Sequence, residues 1–199
     1  PEIAAPHVGL ALVFRGPNAT MRPLVGHKDP EKCMRIRVVD LDGSVTSQDR
    51  VLRRFHPDVY DLRRWGPRVR LATRWKRFFR LERCFDRLVG PEDHRDSWIT
   101  LLGSGDFHHL TLAMLRRVRH PFNLLVLDRD ADWICGAPFL HCRNWLNHAA
   151  RLPNVRRIFH VGGEGGFDNA LRWLAPRRVV QSKKIIVVPA VRPFESGFW

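Results

Sequence analysis

Cysteine is scarce in this chain: Cys33, Cys84, Cys135 and Cys142 are its only four, and no two form a C-x-x-C pair. That excludes a disulfide scaffold. The step of seven from Cys135 to Cys142 matches no common zinc spacing, so reduced and mostly buried thiols are expected. No apolar run approaches the ~20 residues of a membrane span. The opening Pro1-Glu-Ile-Ala-Ala lacks the cationic start and long apolar stretch of a signal peptide. A cytoplasmic protein with no membrane partner is the expectation. Acidic residues are also short, 20 against 34 Lys+Arg, which leaves a formal charge of +14. Only five of those cations are lysines, and an arginine bias spread over the whole chain is equally an effect of coding composition. Apolar residues at 44% and charged residues at 27% exclude wholesale disorder, and 199 residues suit one domain that folds without disulfide or metal.

The densest basic stretch, Arg63 to Arg87, interleaves its cations with Trp75, Phe78, Phe79 and Phe85. At helical spacing Leu71, Trp75, Phe78, Phe79, Leu81, Cys84, Phe85 and Leu88 make an apolar stripe, which leaves the cations on solvated faces. Such charge admits nucleic acid as a partner class through phosphate neutralisation, although no known binding motif accompanies it.

Residues 1–33 carry five prolines and no clean period, and they read as an irregular segment ahead of a single α/β domain over 34–199. Strands are expected at 35–39, 58–61, 98–102, 123–127, 155–161 and 184–188, and helices at 46–55, 68–89, 110–119, 144–152 and 167–174. The alternation, with several short continuous apolar strands, predicts a mainly parallel sheet.

Ligands of open parallel sheets bind beyond the carboxyl ends of the strands. Three expected strand ends are polar: Asp40-Leu-Asp42, Gly103-Ser-Gly-Asp-Phe-His-His109 and Asp128-Arg-Asp-Ala-Asp132. In an extended chain Asp128, Asp130 and Asp132 point to one side, and three like charges call for a cation or a proton. His108 or His109 from the neighbouring strand end would move the preference from Ca²⁺ toward Mn²⁺.

Residues 98–162 resemble the arginase/agmatinase (ureohydrolase) superfamily. Gly105-Asp106-Phe107-His108-His109 is similar to that family's Gly-Gly-Asp-His-Ser turn, and Asp128-Arg-Asp130-Ala-Asp132 to its Asp-x-His-x-Asp strand end. Asp130 stands where the family has a metal-binding histidine. The resemblance implies a three-layer αβα fold, with His108, Asp128, Asp130 and Asp132 as metal ligands for Mn²⁺, two ions in the family. It also implies His141 as a proton shuttle, and Asp130 and His141 are its candidate catalytic residues. The implied reaction is hydrolysis of a guanidino or amidino C–N bond by metal-activated hydroxide, with a small guanidino-type substrate and with homo-oligomerisation left open. The family's later Ser-x-Asp-x-Asp segment is not present, so the chain is expected to be the N-terminal part of a longer domain, and an inactive member is a further reading.

Val38-Val-Asp40-Leu-Asp42-Gly-Ser-Val-Thr46 offers a rival, because it resembles the first motif of haloacid-dehalogenase-like phosphatases. That resemblance makes Asp40 a nucleophile and Asp42 a general acid/base beside Mg²⁺, with Gly162 to Asp168 as the acidic final motif. A non-enzymatic basic protein that binds nucleic acid is the third reading.

Overall fold

The structure is a computed structural model that describes residues 10–15, 34–89, 97–163 and 173–189. Its elements run β1 (Leu10–Arg15), β2 (Met34–Asp40), α1 (Asp49–Phe55), β3 (Asp58–Asp61), α2 (Gly66–Val69), β4 (Ala72–Thr73), α3 (Trp75–Val89) and β5 (Ser97–Leu102). A 3-10 turn (Gly105–Leu110) then leads into α4 (Thr111–Leu115) and β6 (Phe122–Leu127). The chain continues through β7 (Leu140–His141), α5 (Trp145–Ala149), β8 (Val155–Gly163), α6 (Arg177–Ser182) and β9 (Ile185–Pro189).

The strands form a mixed α/β architecture with mainly parallel pairing. One sheet has the order β3-β2-β5, with β2 parallel to both neighbours. A second has the order β1-β6-β8-β9, in which β6-β8 and β8-β9 are parallel and β1-β6 is antiparallel. A small antiparallel pair joins β4 to β7. The apolar pair near the end of β2 fits its central place: Val38 and Val39 are both buried completely. β1 lies inside the stretch expected to be irregular, so that expectation fails for Leu10–Arg15. Its six residues find backbone partners along β6, a tertiary pairing that local proline content does not reveal.

The helices are shorter than their periodicity suggests. The stretch 68–89 is not one helix, because Leu71 adopts a left-handed φ of 59° between α2 and β4. Its backbone groups are taken by distant partners: the Leu71 N–H donates to the Asp106 carbonyl, and the Leu71 carbonyl accepts from Cys142. α3 therefore starts at Trp75, and Phe78, Leu81 and Phe85 bury its inner face while Phe79 and Leu88 stay partly exposed. Each such buried side chain contributes roughly 1.5–3 kcal/mol. The expected helix 110–119 is a 3-10 turn followed by α4, and the helix expected at 167–174 falls mostly outside the described residues. Cys84, Cys135 and Cys142 are free thiols, but Cys135 is exposed rather than buried, and Cys33 lies outside the described residues. Among the described residues no helix is long and apolar enough to cross a membrane.

α5 docks on α3 partly through His148, whose ring meets the Trp75 indole edge-on at 4.6 Å. Burial, reinforced by Arg151 and His141, pushes the His148 pKa down to about 4. The folded state thus binds this proton less readily than the unfolded chain. Stability from His148 is complete above its ordinary value near 6.5 and is lost as pH falls from there toward 4. His148→Gln is expected to flatten the pH dependence of unfolding free energy in that window by on the order of 2 kcal/mol. Urea titrations at several pH values check this, and an unchanged slope refutes it.

Candidate metal centre

Of the three polar strand ends, the first is consumed by its own turn. Asp40 is buried at the end of β2; its Oδ1 accepts the Gly43 N–H at 2.7 Å, and its Oδ2 accepts the Thr46 hydroxyl at 2.8 Å and Arg63 Nε at 2.6 Å. Burial raises the Asp40 pKa, but these hydrogen bonds and the Arg63 charge outweigh it and hold the carboxyl below its ordinary value. Asp42 accepts the Ser44 N–H and hydroxyl and, across to the end of β5, the Ser104 N–H at 3.3 Å. Both carboxylates act as braces of an Asx-type turn, and neither Asp40 oxygen is left without a donor. Most of the Gly162–Asp168 segment falls outside the described residues.

The second and third strand ends meet. Beyond β5, Gly103 takes a φ of 57°, a conformation that favours glycine, and turns the chain into the 3-10 turn that carries His108. The His108 Nδ1 donates to the Gly105 carbonyl at 2.6 Å, which fixes the ring. Its Nε2 lies 3.2 Å from the Cys142 carbonyl and 3.4 Å from Asp132 Oδ2. A histidine anchored through one nitrogen to a carbonyl, with the other turned toward carboxylates, has the support that metal-binding imidazoles receive.

Asp128 comes directly after β6, and its N–H donates to Val161 in β8 at 3.0 Å. The approach is close: a Cβ on Gly162, whose φ is 109°, would lie 3.0 Å from the Asp128 carbonyl. Asp132 is completely buried; its Oδ2 accepts the Trp145 indole N–H at 2.7 Å, and its Oδ1 is buried with no hydrogen-bond partner among the described residues. His108, Asp128 and Asp132 each offer one atom within 4.8 Å of the others. Ligand atoms around a shared cation at ~2.1 Å stand about 3–4 Å apart, so a small closure completes the geometry.

The electrostatics of this group favour a bound positive charge. Burial and the neighbouring Asp128 push the Asp132 carboxyl up to about 6, against the opposing pull of His108. Burial disfavours charge on His108, but Asp132 and Cys142 outweigh it and raise the imidazole to about 11. Both shifts have one meaning: the protein alone recruits a proton into this cluster, in the place a divalent cation would take. The donor set of one imidazole and two carboxylates suits Mn²⁺ and related borderline or hard cations.

Asp130 does not join the group, contrary to the sequence expectation. The alternation that would align three carboxylates requires extended backbone, but β6 ends at Leu127 and the chain bends at 129–130. The Asp130 N–H folds back onto Asp128 Oδ1 at 3.1 Å, so Asp130 is a turn residue of this loop. His141 lies on β7, apart from the group; its Nδ1 accepts the Arg143 N–H at 3.1 Å and its ring packs beside Phe139. Burial and then Arg143 lower its pKa, which keeps the imidazole neutral at pH 7.

Supporting residues escaped the sequence reading. His160, fully buried in β8, donates through Nε2 to the Asp130 carbonyl at 3.1 Å and packs edge-on to Trp133. A histidine between the apolar Phe159 and Val161 of β8 is its only mark in the sequence. His109 turns inward instead, its Nδ1 3.3 Å from Cys142 Sγ, and burial, with His108 next, pushes its pKa down to about 3.

No protein-family model matches the chain, and no solved structure does. An uncharacterized protein of Thermotoga maritima is 36% identical over 64 residues, which is 32% of this chain. That alignment spans about a quarter (26%) of the Thermotoga protein's length.

Proposed function

We propose that this chain is an arginase-like, divalent-cation-dependent hydrolase of a guanidino or amidino C–N bond, with a three-layer αβα fold. The observation that carries the reading is the convergence of His108, Asp128 and Asp132 from two successive strand ends, in the order that the ureohydrolase resemblance requires. These three residues would hold the cation, Mn²⁺ by preference, and the Gly105 carbonyl and Trp145 indole would orient His108 and Asp132. A cation so held supplies Lewis acidity that lowers the pKa of water toward neutrality. His141, which stands apart from these three residues on β7, accepts the Arg143 N–H through Nδ1, so its Nε2 would be the nitrogen that carries a proton toward a leaving amine. The phosphatase alternative is weakened by the full engagement of Asp40.

The test is release of urea or ammonia from a panel of guanidino and amidino compounds by the Mn²⁺-loaded protein. Turnover that stops with EDTA and with His108→Ala is expected. Metal binding without turnover across the panel would leave a non-catalytic relative, and p-nitrophenyl phosphate hydrolysis abolished by Asp40→Asn would establish the phosphatase instead.

A further inference from the structure

α3 carries two carboxylates on one flank, and both are spoken for. Glu82 pairs with Arg116 at 2.5 Å, and Asp86 pairs with Arg117. The opposite situation holds on another face. Lys76, Arg80, Arg83 and Arg87 recur at steps of four, three and four, so they line one side of the helix, and all four are exposed. Among the described residues no carboxylate pairs with any of them, nor with Arg68 or Arg74.

This row opens onto a cleft of about 300 Å³, lined by Trp65, Arg68, Arg74, Lys76, Arg77 and Arg80. Among the described residues five cations surround this one concavity, and Trp65 is the only aromatic that lines it. The indole N–H of Trp65 is shielded from bulk water and has no acceptor among the described residues. The first turn of α3 contains no acidic residue, although this end of a helix is its positive end, where Lys76 and Arg77 are unfavourable in isolation. Like charges gathered without counter-charges around a cleft, at the positive pole of a helix, lower their mutual repulsion by binding an anion.

We propose that the α2–α3 cleft and the cationic row beyond it form a binding site for single-stranded nucleic acid. The row from Lys76 to Arg87 extends about 16 Å along the helix, enough to follow several successive phosphates rather than one. An aromatic ring in a basic groove is the arrangement that takes an unpaired base by stacking while cations track the backbone. A duplex, with its bases already stacked, has no use for the Trp65 cleft.

The test is fluorescence anisotropy of a short labelled single-stranded RNA of mixed sequence, titrated with the full chain across a salt series. The triple variant Arg74→Gln, Lys76→Gln, Arg80→Gln is compared with a charge-matched control, Arg50→Gln, Arg54→Gln, Arg151→Gln. The cleft variant should bind at least about tenfold more weakly than the control, and its log K against log salt slope should fall by about 2, since each single-strand phosphate contact contributes ~0.7. Trp65→Leu should weaken binding without changing that slope. Equal losses in the two triple variants would assign binding to diffuse net charge and overturn the site. Equal affinity for a duplex of the same sequence, tighter binding to phosphatidylserine vesicles, or no binding at all would overturn it as well.

Discussion

Asp132→Asn should remove the thermal stabilisation that Mn²⁺ confers, whereas Asp130→Asn should retain it. A ligand that binds only the folded state at a hundredfold excess over its dissociation constant stabilises by about 2.7 kcal/mol, roughly 5–10 °C in Tm for a chain of this size. Asp132 is the most exacting member of the group. Its Oδ2 holds the Trp145 indole and faces His108 at 3.4 Å, and its Oδ1 is buried with no hydrogen-bond partner among the described residues. Asparagine keeps the shape and can still accept from Trp145, but it withdraws the negative charge that offsets the desolvation of a cation. Supporting residues alone are worth 10–100-fold in metal affinity, so loss of a ligand should exceed about a hundredfold. Asp130, turned back onto Asp128 through its N–H, sits outside the group and should change affinity by less than about fivefold. Differential scanning fluorimetry and calorimetric titration with Mn²⁺ read both effects. Equal losses in the two variants would return Asp130 to the centre, and unchanged binding in Asp132→Asn would remove the centre altogether.

The contrast between Asp130 and its neighbours marks where sequence reasoning succeeds. The strands near 98–102 and 123–127 are legible because each is a short, largely apolar run, and that near 155–161 because β-branched and aromatic residues dominate it beyond Arg157; the polar ends of the first two locate His108 and Asp128 without any tertiary knowledge. The loop beyond a strand is less legible. Alternation continued from β6 into Asp128–Asp132 aligns three carboxylates, yet a hydrogen bond of 3.1 Å between Asp130 and Asp128 bends the backbone within two residues. Residues that orient the centre come from remote segments: Trp145 from α5, the Cys142 carbonyl from beside β7, and His160 from β8. Nothing local distinguishes these from ordinary core residues, because their role exists only once the strand ends meet. The basic stretch has the same character. Its periodicity suggests a solvated helix face, and only the pairing of Glu82 and Asp86 with Arg116 and Arg117 reveals which cations remain uncompensated.

Gly66→Ala is expected to be among the most destabilising single-methyl additions in the molecule. Nothing in the sequence Trp65-Gly66-Pro67 marks position 66 as one where a side chain is forbidden. The reason is packing. A Cβ on Gly66 would stand 2.0 Å from the Leu41 carbonyl oxygen and 3.1 Å from the carbon behind it, and both belong to backbone. Leu41 is 1% exposed and continues directly from Asp40, whose carbonyl accepts the Leu62 N–H at 2.8 Å. Neither side can yield alone. Moving Leu41 disturbs the Asp40 turn, and moving α2 displaces Trp65 and the Gly66 carbonyl that accepts from Arg70 at 3.0 Å. Overpacking against unyielding backbone costs about 3 kcal/mol or more, roughly 6–12 °C in Tm. Leu71→Gly is the instructive comparison. Leu71 already holds a φ of 59° with its side chain half-exposed, so glycine there relieves a strained backbone at little loss of packing. That variant should stay within about 1 kcal/mol of wild type, on the stabilising side. Chemical denaturation of both variants decides the matter: a Gly66→Ala protein as stable as wild type would mean that α2 does not lie against Leu41 as described.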